Sequence, residues 1–146
     1  MADLSRVVIT GAGGSIGKEL DFGIHLTRDN FDVTNKEHIK SISKYNPSAI
    51  LHLASMPIRA CEENPFEAYR INVFSTKALA EKAAELDVPF IIISTGAIFN
   101  GSENSSFTEV AMPDPQNIYG QTKYLAELIA SHIAPEYLIV RTGWLF

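Results

Sequence analysis

The chain has few of the features that mark secreted, membrane or nucleic-acid-binding proteins. Its one cysteine, Cys61, permits no internal disulfide and indicates a reducing compartment. No basic run is present and the net charge is −5, which argues against nucleic acid or an anionic membrane as a partner. No apolar run approaches membrane-spanning length, and residues 1–5 are too few for a signal peptide. These absences predict a cytoplasmic protein.

The composition that remains is that of an ordinary globular domain. The 146 residues are 46% apolar and 20% charged, which is enough for one domain with a single packed core. No internal repeat or low-complexity tract is present, and no metal site is predicted.

Apolar, β-branched runs alternate with helical patterns along the chain. This alternation predicts an α/β fold in which a doubly wound, Rossmann-like parallel sheet lies between helices, in three α/β/α layers. The predicted strands are Arg6–Thr10, Ile24–Thr27, Ala49–Leu53, Val88–Ser94 and Tyr137–Arg141.

Three helical segments and one long loop are predicted between these strands. Thr34 and Glu37 form a plausible capping box for a helix over Lys36–Tyr45, with Ile39 and Ile42 facing the core. The remaining helical patterns cover Phe66–Leu86, as one or two helices, and Ile118–Ile133. Residues 99–116 hold Asn, Gly, Ser and Pro and predict a long loop, a feature that is usually functional inside a compact domain.

A glycine-rich turn follows the first predicted strand directly. Gly11, Gly14 and Gly17 have the spacing of a dinucleotide fingerprint, in which backbone N–H groups approach a pyrophosphate. We therefore expect the pyrophosphate over Gly14, Ser15 and Ile16. Glycine-rich turns also occur in α/β proteins that bind no nucleotide, and this turn alone does not decide between the two.

A second motif lies near the other end of the chain. Tyr119 and Lys123 are four residues apart, so a helix places them on one face. A nearby ammonium favours the phenolate and is expected to lower the pKa of Tyr119 towards neutrality, which suits acid–base chemistry. A solvated helix face carries the same spacing by chance. Thr95, which closes an apolar run 24 residues earlier, favours the chemical interpretation.

Two features predict that the chain is incomplete. A parallel crossover needs about a dozen residues, and the segment between Gly17 and Ile24 is much shorter. We therefore expect missing residues near positions 20–23. The strongly apolar Trp144–Phe146 directly after a strand indicates that more of the protein follows.

Taken together, these motifs resemble the extended short-chain dehydrogenase/reductase superfamily, and within it the dTDP-4-dehydrorhamnose reductase family. The resemblance covers the cofactor-binding part of that family and nearly all of residues 1–146. Besides the glycine turn, the matching segments are Ile50–Ser55, Cys61–Pro65, Ile71–Val73, Ser94–Gly101, Tyr119–Lys123 and Arg141–Trp144.

The resemblance implies catalytic roles for three residues. Tyr119 would donate a proton to the developing alkoxide of a ketone, and Lys123 would hold the nicotinamide ribose. Thr95 would bind the substrate oxygen or orient Tyr119. The implied reaction is NAD(P)H-dependent reduction of a nucleotide-linked 4-keto-6-deoxy sugar, with the substrate domain expected beyond Phe146.

The resemblance also implies cofactor contacts. Asp32 and Val33 match the pair that reads the adenine, although a solvated turn is an alternative interpretation. Leu53, Ala54 and Ser55 would line the nicotinamide side.

Cofactor choice depends on the end of the second strand. Arg28 occurs where NAD-binding relatives place an acidic residue, which favours NADP because a guanidinium can pair with the 2′-phosphate. NAD stays open, since Arg28 is equally interpretable as a surface charge.

The substrate side departs from the family pattern. Gly96 and Ala97 replace an Asp-Tyr pair, and His52 stands where an Asn is usual, for which we expect a structural role. A sugar-nucleotide epimerase or dehydratase, and a catalytically silent NADP-binding regulatory subunit, therefore remain alternatives. A homodimer is a candidate assembly.

Overall fold

Five parallel strands form one sheet in the order β2-β1-β3-β4-β5. The structure is a computed structural model that describes residues 3–101 and 107–143. The strands are β1 Val7–Thr10, β2 Ile24–Leu26, β3 Ala49–His52, β4 Phe90–Thr95 and β5 Tyr137–Thr142. The sequence-based strands are confirmed to within one or two residues at each end, and so is the Rossmann-like α/β class.

The strands are apolar because the centre of the sheet is buried on both faces. Val8, Ile50 and Phe90 are fully buried and lie side by side, since Val8 pairs with Ile50 and Ile50 with Phe90. Near-continuous apolar runs are what a parallel sheet requires when both of its faces are covered.

Within the described residues, five α-helices connect the strands. They are α1 Lys36–Ser41, α2 Ile58–Glu63, α3 Pro65–Ala68, α4 Ser75–Leu86 and α5 Ile118–Ile133. The predicted bounds of α5 are confirmed. The predicted Lys36–Tyr45 helix continues after α1 as a 3₁₀ turn over Ile42–Tyr45, and the Phe66–Leu86 pattern is divided by a π-helical segment over Tyr69–Phe74.

The predicted capping box at α1 is wrong. Asn35 is the N-cap, because its Oδ1 accepts hydrogen bonds from Glu37 N at 2.9 Å and His38 N at 3.3 Å. The hydroxyl of Thr34 is used elsewhere and donates to Asp32 Oδ1 at 2.8 Å. Asn is at least as good a cap as Thr, so the residue nearer the helix takes that position.

The larger apolar cluster lies between the sheet and helices α1, α4 and α5. The predicted core residues Ile39 and Ile42 belong to it, as does Leu79 of α4. On the other face, Val7 and Ile9 pack with Leu20 and Phe22 of the segment joining β1 to β2.

The segment joining β1 to β2 contains no α-helix. Only a 3₁₀ turn over Gly17–Glu19 forms before β2 begins. That connection spans fewer residues than a full helical crossover requires, so missing residues near 20–23 stay a prediction. The expectation based on Trp144–Phe146 lies outside the described residues.

Candidate active site and cofactor cleft

The glycine turn after β1 lies against the end of β3. Gly11 has φ +72°, and a Cβ built on it would lie 2.4 Å from Ala54 N. Only glycine permits both this backbone conformation and this approach. The carboxyl ends of β1 and β3 therefore meet closely, at the edge of a parallel sheet where α/β proteins bind ligands.

A cleft of about 1000 Å³ opens at this edge. Its lining includes most of the residues for which cofactor contacts were expected: Gly11, Gly14, Arg28, Asp32, Val33, Leu53, Ala54 and Ser55. Four other expected contacts do not line it: Ser15 and Ile16 lie in the adjoining turn, and Tyr119 and Lys123 lie on α5. The cleft is large enough for a dinucleotide and is bordered by the turn that the fingerprint predicts.

The glycine turn retains backbone donors for an anion. Gly14 N donates a hydrogen bond to Gly11 O at 3.0 Å, whereas Ser15 N and Ile16 N donate to no acceptor within the described residues. The 3₁₀ turn that follows is too short to add an appreciable helix dipole. Binding of a pyrophosphate here would rest on the individual N–H groups, and the donors present fit that role.

Arg28 and Asp32 both line the cleft, but only Asp32 has a hydrogen-bond partner within the described residues. Asp32 Oδ1 accepts from Thr34 N and Thr34 Oγ1, both at 2.8 Å, and these hydrogen bonds lower the pKa of its carboxyl. Asp32 thus makes the turn that its alternative interpretation predicted while still lining the cleft. Arg28 is exposed and forms no ion pair or hydrogen bond with the part of the chain that the structure describes.

Helix α5 begins where two side chains satisfy its first N–H groups. Asn117 Oδ1 accepts from Gly120 N at 2.7 Å, and Glu62 Oε1 of α2 accepts from Ile118 N, also at 2.7 Å. Such caps stabilise a helix start and define where its first turn lies. They determine where Tyr119, in that first turn, is presented.

Gly120 lets α5 lie unusually close to the end of β4. A Cβ at this position would lie 2.2 Å from Ala97 O and 3.0 Å from Pro115 Cβ. As a result the phenol of Tyr119 reaches the hydroxyl of Thr95, and it also interacts with the hydroxyl of Ser55 at the end of the cleft. The three hydroxyl groups come from α5, β4 and the loop after β3.

The pKa of Tyr119 is raised, and our expectation of a lowered value is wrong for the protein alone. Burial is the largest cause, and the nearby hydroxyl groups of Thr95 and Ser55, which favour the phenolate, oppose it only in part. Removing a phenolate from water costs more than these neutral donors recover. The phenol therefore keeps its proton at neutral pH.

Lys123, one helical turn after Tyr119 on α5, is buried. Burial lowers its pKa to about 8, while the carboxylate of Glu127 acts in the opposite direction. Within the described residues its ammonium forms no hydrogen bond and no ion pair. A buried ammonium without a partner is costly, and its N–H groups stay available to an acceptor on a bound ligand.

Asn72 is a buried residue of this site whose role the sequence did not reveal. Its Oδ1 accepts from Met56 N at 2.8 Å, and its Nδ2 donates to Thr122 Oγ1 at 2.9 Å. It therefore ties the loop after β3 to the helix that carries Lys123. Asn72 lies in the π-helical segment, a geometry that is frequent at functional sites. The signals in the sequence were a polar residue inside the apolar run Ile71–Val73 and the place of that run among the segments that resemble the family.

His52 has contacts that support the expected structural role. Its Nδ1 pairs with Thr10 Oγ1 at 2.7 Å and its Nε2 with Ser75 Oγ at 3.2 Å. Burial lowers its pKa to about 3, with a smaller contribution from Lys123, so the ring is neutral. It joins β1, β3 and α4 through buried hydrogen bonds.

Two kinds of feature are absent from residues 3–101 and 107–143. No helix there is long and apolar enough to cross a membrane. No group of His, Cys, Asp and Glu side chains in the same residues could hold a metal ion.

The parallel sheet, the glycine-bordered cleft and the Thr95–Tyr119–Lys123 set define a Rossmann-like domain of the short-chain dehydrogenase/reductase class. The family model described as RmlD substrate binding domain matches residues 5–146, and the chain belongs to this family.

Several known proteins of similar sequence and structure are named as reductases. The chain is 30% identical to dTDP-4-dehydrorhamnose reductase of Aggregatibacter actinomycetemcomitans, covering 98% of this chain and 52% of the relative. For the Sinorhizobium fredii reductase the values are 31%, 97% and 51%. The structure of the Bacillus anthracis dTDP-4-dehydrorhamnose reductase in complex with NADP superposes with a TM-score of 0.91 at 31% identity, covering 100% of this chain and 56% of that one.

The chain spans about half the length of the curated relatives that it matches. The alignment with the Aggregatibacter actinomycetemcomitans reductase runs over 154 residues, which is longer than this chain of 146. That relative therefore has residues within the matched span for which this chain has no counterpart.

Proposed function

We propose that the complete protein is an NADPH-dependent reductase of a nucleotide-linked 4-keto-6-deoxy sugar, of the dTDP-4-dehydrorhamnose reductase kind. The observation that carries this proposal is the cluster of the Tyr119, Thr95 and Ser55 hydroxyl groups at the end of a cleft bordered by the glycine turn. The relatives of similar sequence and the NADP complex of similar structure support the same reaction class.

Tyr119 is the proposed proton donor. Because its pKa is raised, the phenol is fully protonated at neutral pH and can protonate an alkoxide as negative charge develops on the substrate oxygen. The hydroxyl of Thr95 orients the phenol and offers a second hydrogen bond to the same oxygen. When bound, NADPH supplies the hydride that this chemistry needs.

Lys123 is the proposed ligand of the nicotinamide ribose. Its ammonium is buried and lacks a protein acceptor among the described residues, so two ribose hydroxyl groups would relieve the cost of burying it. Arg28, exposed on the cleft wall and likewise without a protein partner there, is the proposed ligand of the 2′-phosphate. This assignment favours NADPH over NADH.

The test is turnover by the complete protein with NADPH and dTDP-4-dehydrorhamnose. Tyr119→Phe keeps the ring but removes the proton, so kcat should fall by about 10²–10⁴-fold while NADPH affinity changes little. Tyr45→Phe removes a phenol outside the cluster and should leave kcat unchanged. Near wild-type turnover by Tyr119→Phe would exclude the proposed proton donor.

The same experiment separates the alternatives. A regulatory subunit would bind NADPH and turn over no keto-sugar, whereas an epimerase or dehydratase would release product without net consumption of NADPH. A cytoplasmic location and a homodimer stay predictions, the latter testable by the mass of the complete protein in solution.

A further inference from the structure

Arg141, near the end of β5, contacts a carboxylate, a backbone carbonyl and an aromatic ring. Its Nε and Nη2 donate to the two carboxylate oxygens of Glu127 at 3.0 and 2.7 Å, and its Nη1 donates to Glu109 O at 3.1 Å. The guanidinium also lies over the ring of Phe99, 5.5 Å from its centre. That is within the range of a cation–π contact.

The Glu127–Arg141 pair differs from every other ion pair within the described residues. The others join side chains three or four residues apart, and their carboxylates are one-third to three-quarters exposed. Glu127 is only 4% exposed and comes from a different element than Arg141. A bidentate, buried pair of this kind imposes geometry, whereas exposed local pairs contribute little.

The contacts of Arg141 reach both sides of the loop that joins β4 to α5. Phe99 is at its start and stacks on Phe107 with ring centres 4.3 Å apart, and Glu109 follows shortly after. This loop begins just beyond Thr95 and ends just before Tyr119. Glu127, one turn beyond Lys123 on the same face of α5, thus links the loop to the helix of the proposed catalytic residues.

We propose that Glu127 and Arg141 are positioning residues that hold segment 107–112 beside the Thr95–Tyr119 cluster and so form part of the sugar-nucleotide site. They touch neither of the reacting groups, but act through the backbone of Glu109 and the Phe99–Phe107 stack. The inference rests on the proposed function, because it assigns these residues to the same substrate. Arg141 does not line the cofactor cleft, so cofactor binding is not expected to depend on it, whereas the carboxylate of Glu127 also raises the pKa of Lys123, the proposed ribose ligand.

The experiment uses the complete protein and the variants Arg141→Lys and Glu127→Gln. Arg141→Lys keeps the charge but loses the planar fork, so it cannot hold Glu127 and Glu109 together. We expect KM for dTDP-4-dehydrorhamnose to rise by about tenfold in both variants, with NADPH affinity unchanged in Arg141→Lys. Amide hydrogen exchange in residues 107–111 should become faster in the same variants.

Two further variants keep the test decisive. Phe107→Ala removes the Phe99–Phe107 stack at a partly exposed position and leaves the buried Glu127–Arg141 pair intact. It should raise KM and the rate of amide hydrogen exchange in residues 107–111 without loss of thermal stability. Arg6→Lys is the matched control, because Arg6 also contacts a carboxylate, Asp3, and a backbone carbonyl, Asn46 O, but at the opposite end of the sheet. It should change neither quantity.

The outcomes separate this inference from the proposed function. Faster exchange in residues 107–111 with a raised KM supports it, and lower thermal stability with unchanged KM and exchange overturns it. If the wild type turns over no keto-sugar, the proposed function fails, and unchanged exchange in Arg141→Lys would independently overturn the positioning role.

Discussion

Lys123→Met should make the protein more stable without cofactor while removing its activity. The pKa of Lys123 is lowered from 10.5 to about 8 because the ammonium is buried without a hydrogen-bonding partner among the described residues. Each pKa unit corresponds to about 1.4 kcal/mol, so the charged lysine reduces the free energy of unfolding by about 3 kcal/mol at neutral pH. Methionine fills a similar volume and carries no charge.

The pH dependence of this effect has a definite sign. Below about pH 8 the lysine is protonated in both folded and unfolded protein, and the folded state bears the full cost. Between pH 8 and 10.5 the folded state releases its proton while the unfolded state retains it, so wild-type stability rises. The difference between Lys123→Met and wild type should therefore be largest at pH 7 and shrink across that window.

Urea unfolding of the complete protein, measured from pH 7 to 10, tests this reasoning. Lys82→Met is the control, because Lys82 is similarly buried but pairs with Glu85 Oε2 at 2.7 Å, so its loss should bring no gain. Saturating NADPH should stabilise the wild type more than Lys123→Met, since ligand stabilisation follows affinity. Equal stability of wild type and Lys123→Met at every pH would refute the argument.

Two other changes have expected outcomes. Arg28→Ala should weaken NADPH binding by roughly 10–100-fold in a fluorescence titration, as expected for losing a charge-assisted contact, and leave NADH binding nearly unchanged; equal losses would mean that Arg28 does not contact the 2′-phosphate. Gly120→Ala forces α5 away from Ala97 O, so the free energy of unfolding should fall by about 1–3 kcal/mol in thermal unfolding. The kcat of the same variant should also be reduced. Gly143→Ala, where a Cβ would meet nothing within 4 Å, should be neutral.

The sequence by itself determined the strands, the extent of α5 and the class of fold. These follow from local patterns, because apolar β-branched runs suit a covered parallel sheet and the α5 pattern repeats with the helical period. The glycine turn was also predictable from the sequence, because Gly11 has a backbone conformation that other residues avoid. Most residues of the cleft wall followed from the resemblance to the reductase family.

The tertiary structure decided which side chains are in contact and in which direction their pKa values shift. The raised pKa of Tyr119 depends on how deeply α5 packs against β4, and no spacing of residues encodes that depth. The Glu127–Arg141 pair and the contacts of Asn72 join elements distant in the chain. Local propensity acts over a few residues, whereas burial and long-range hydrogen bonds arise only when the sheet register and helix packing bring separate segments together.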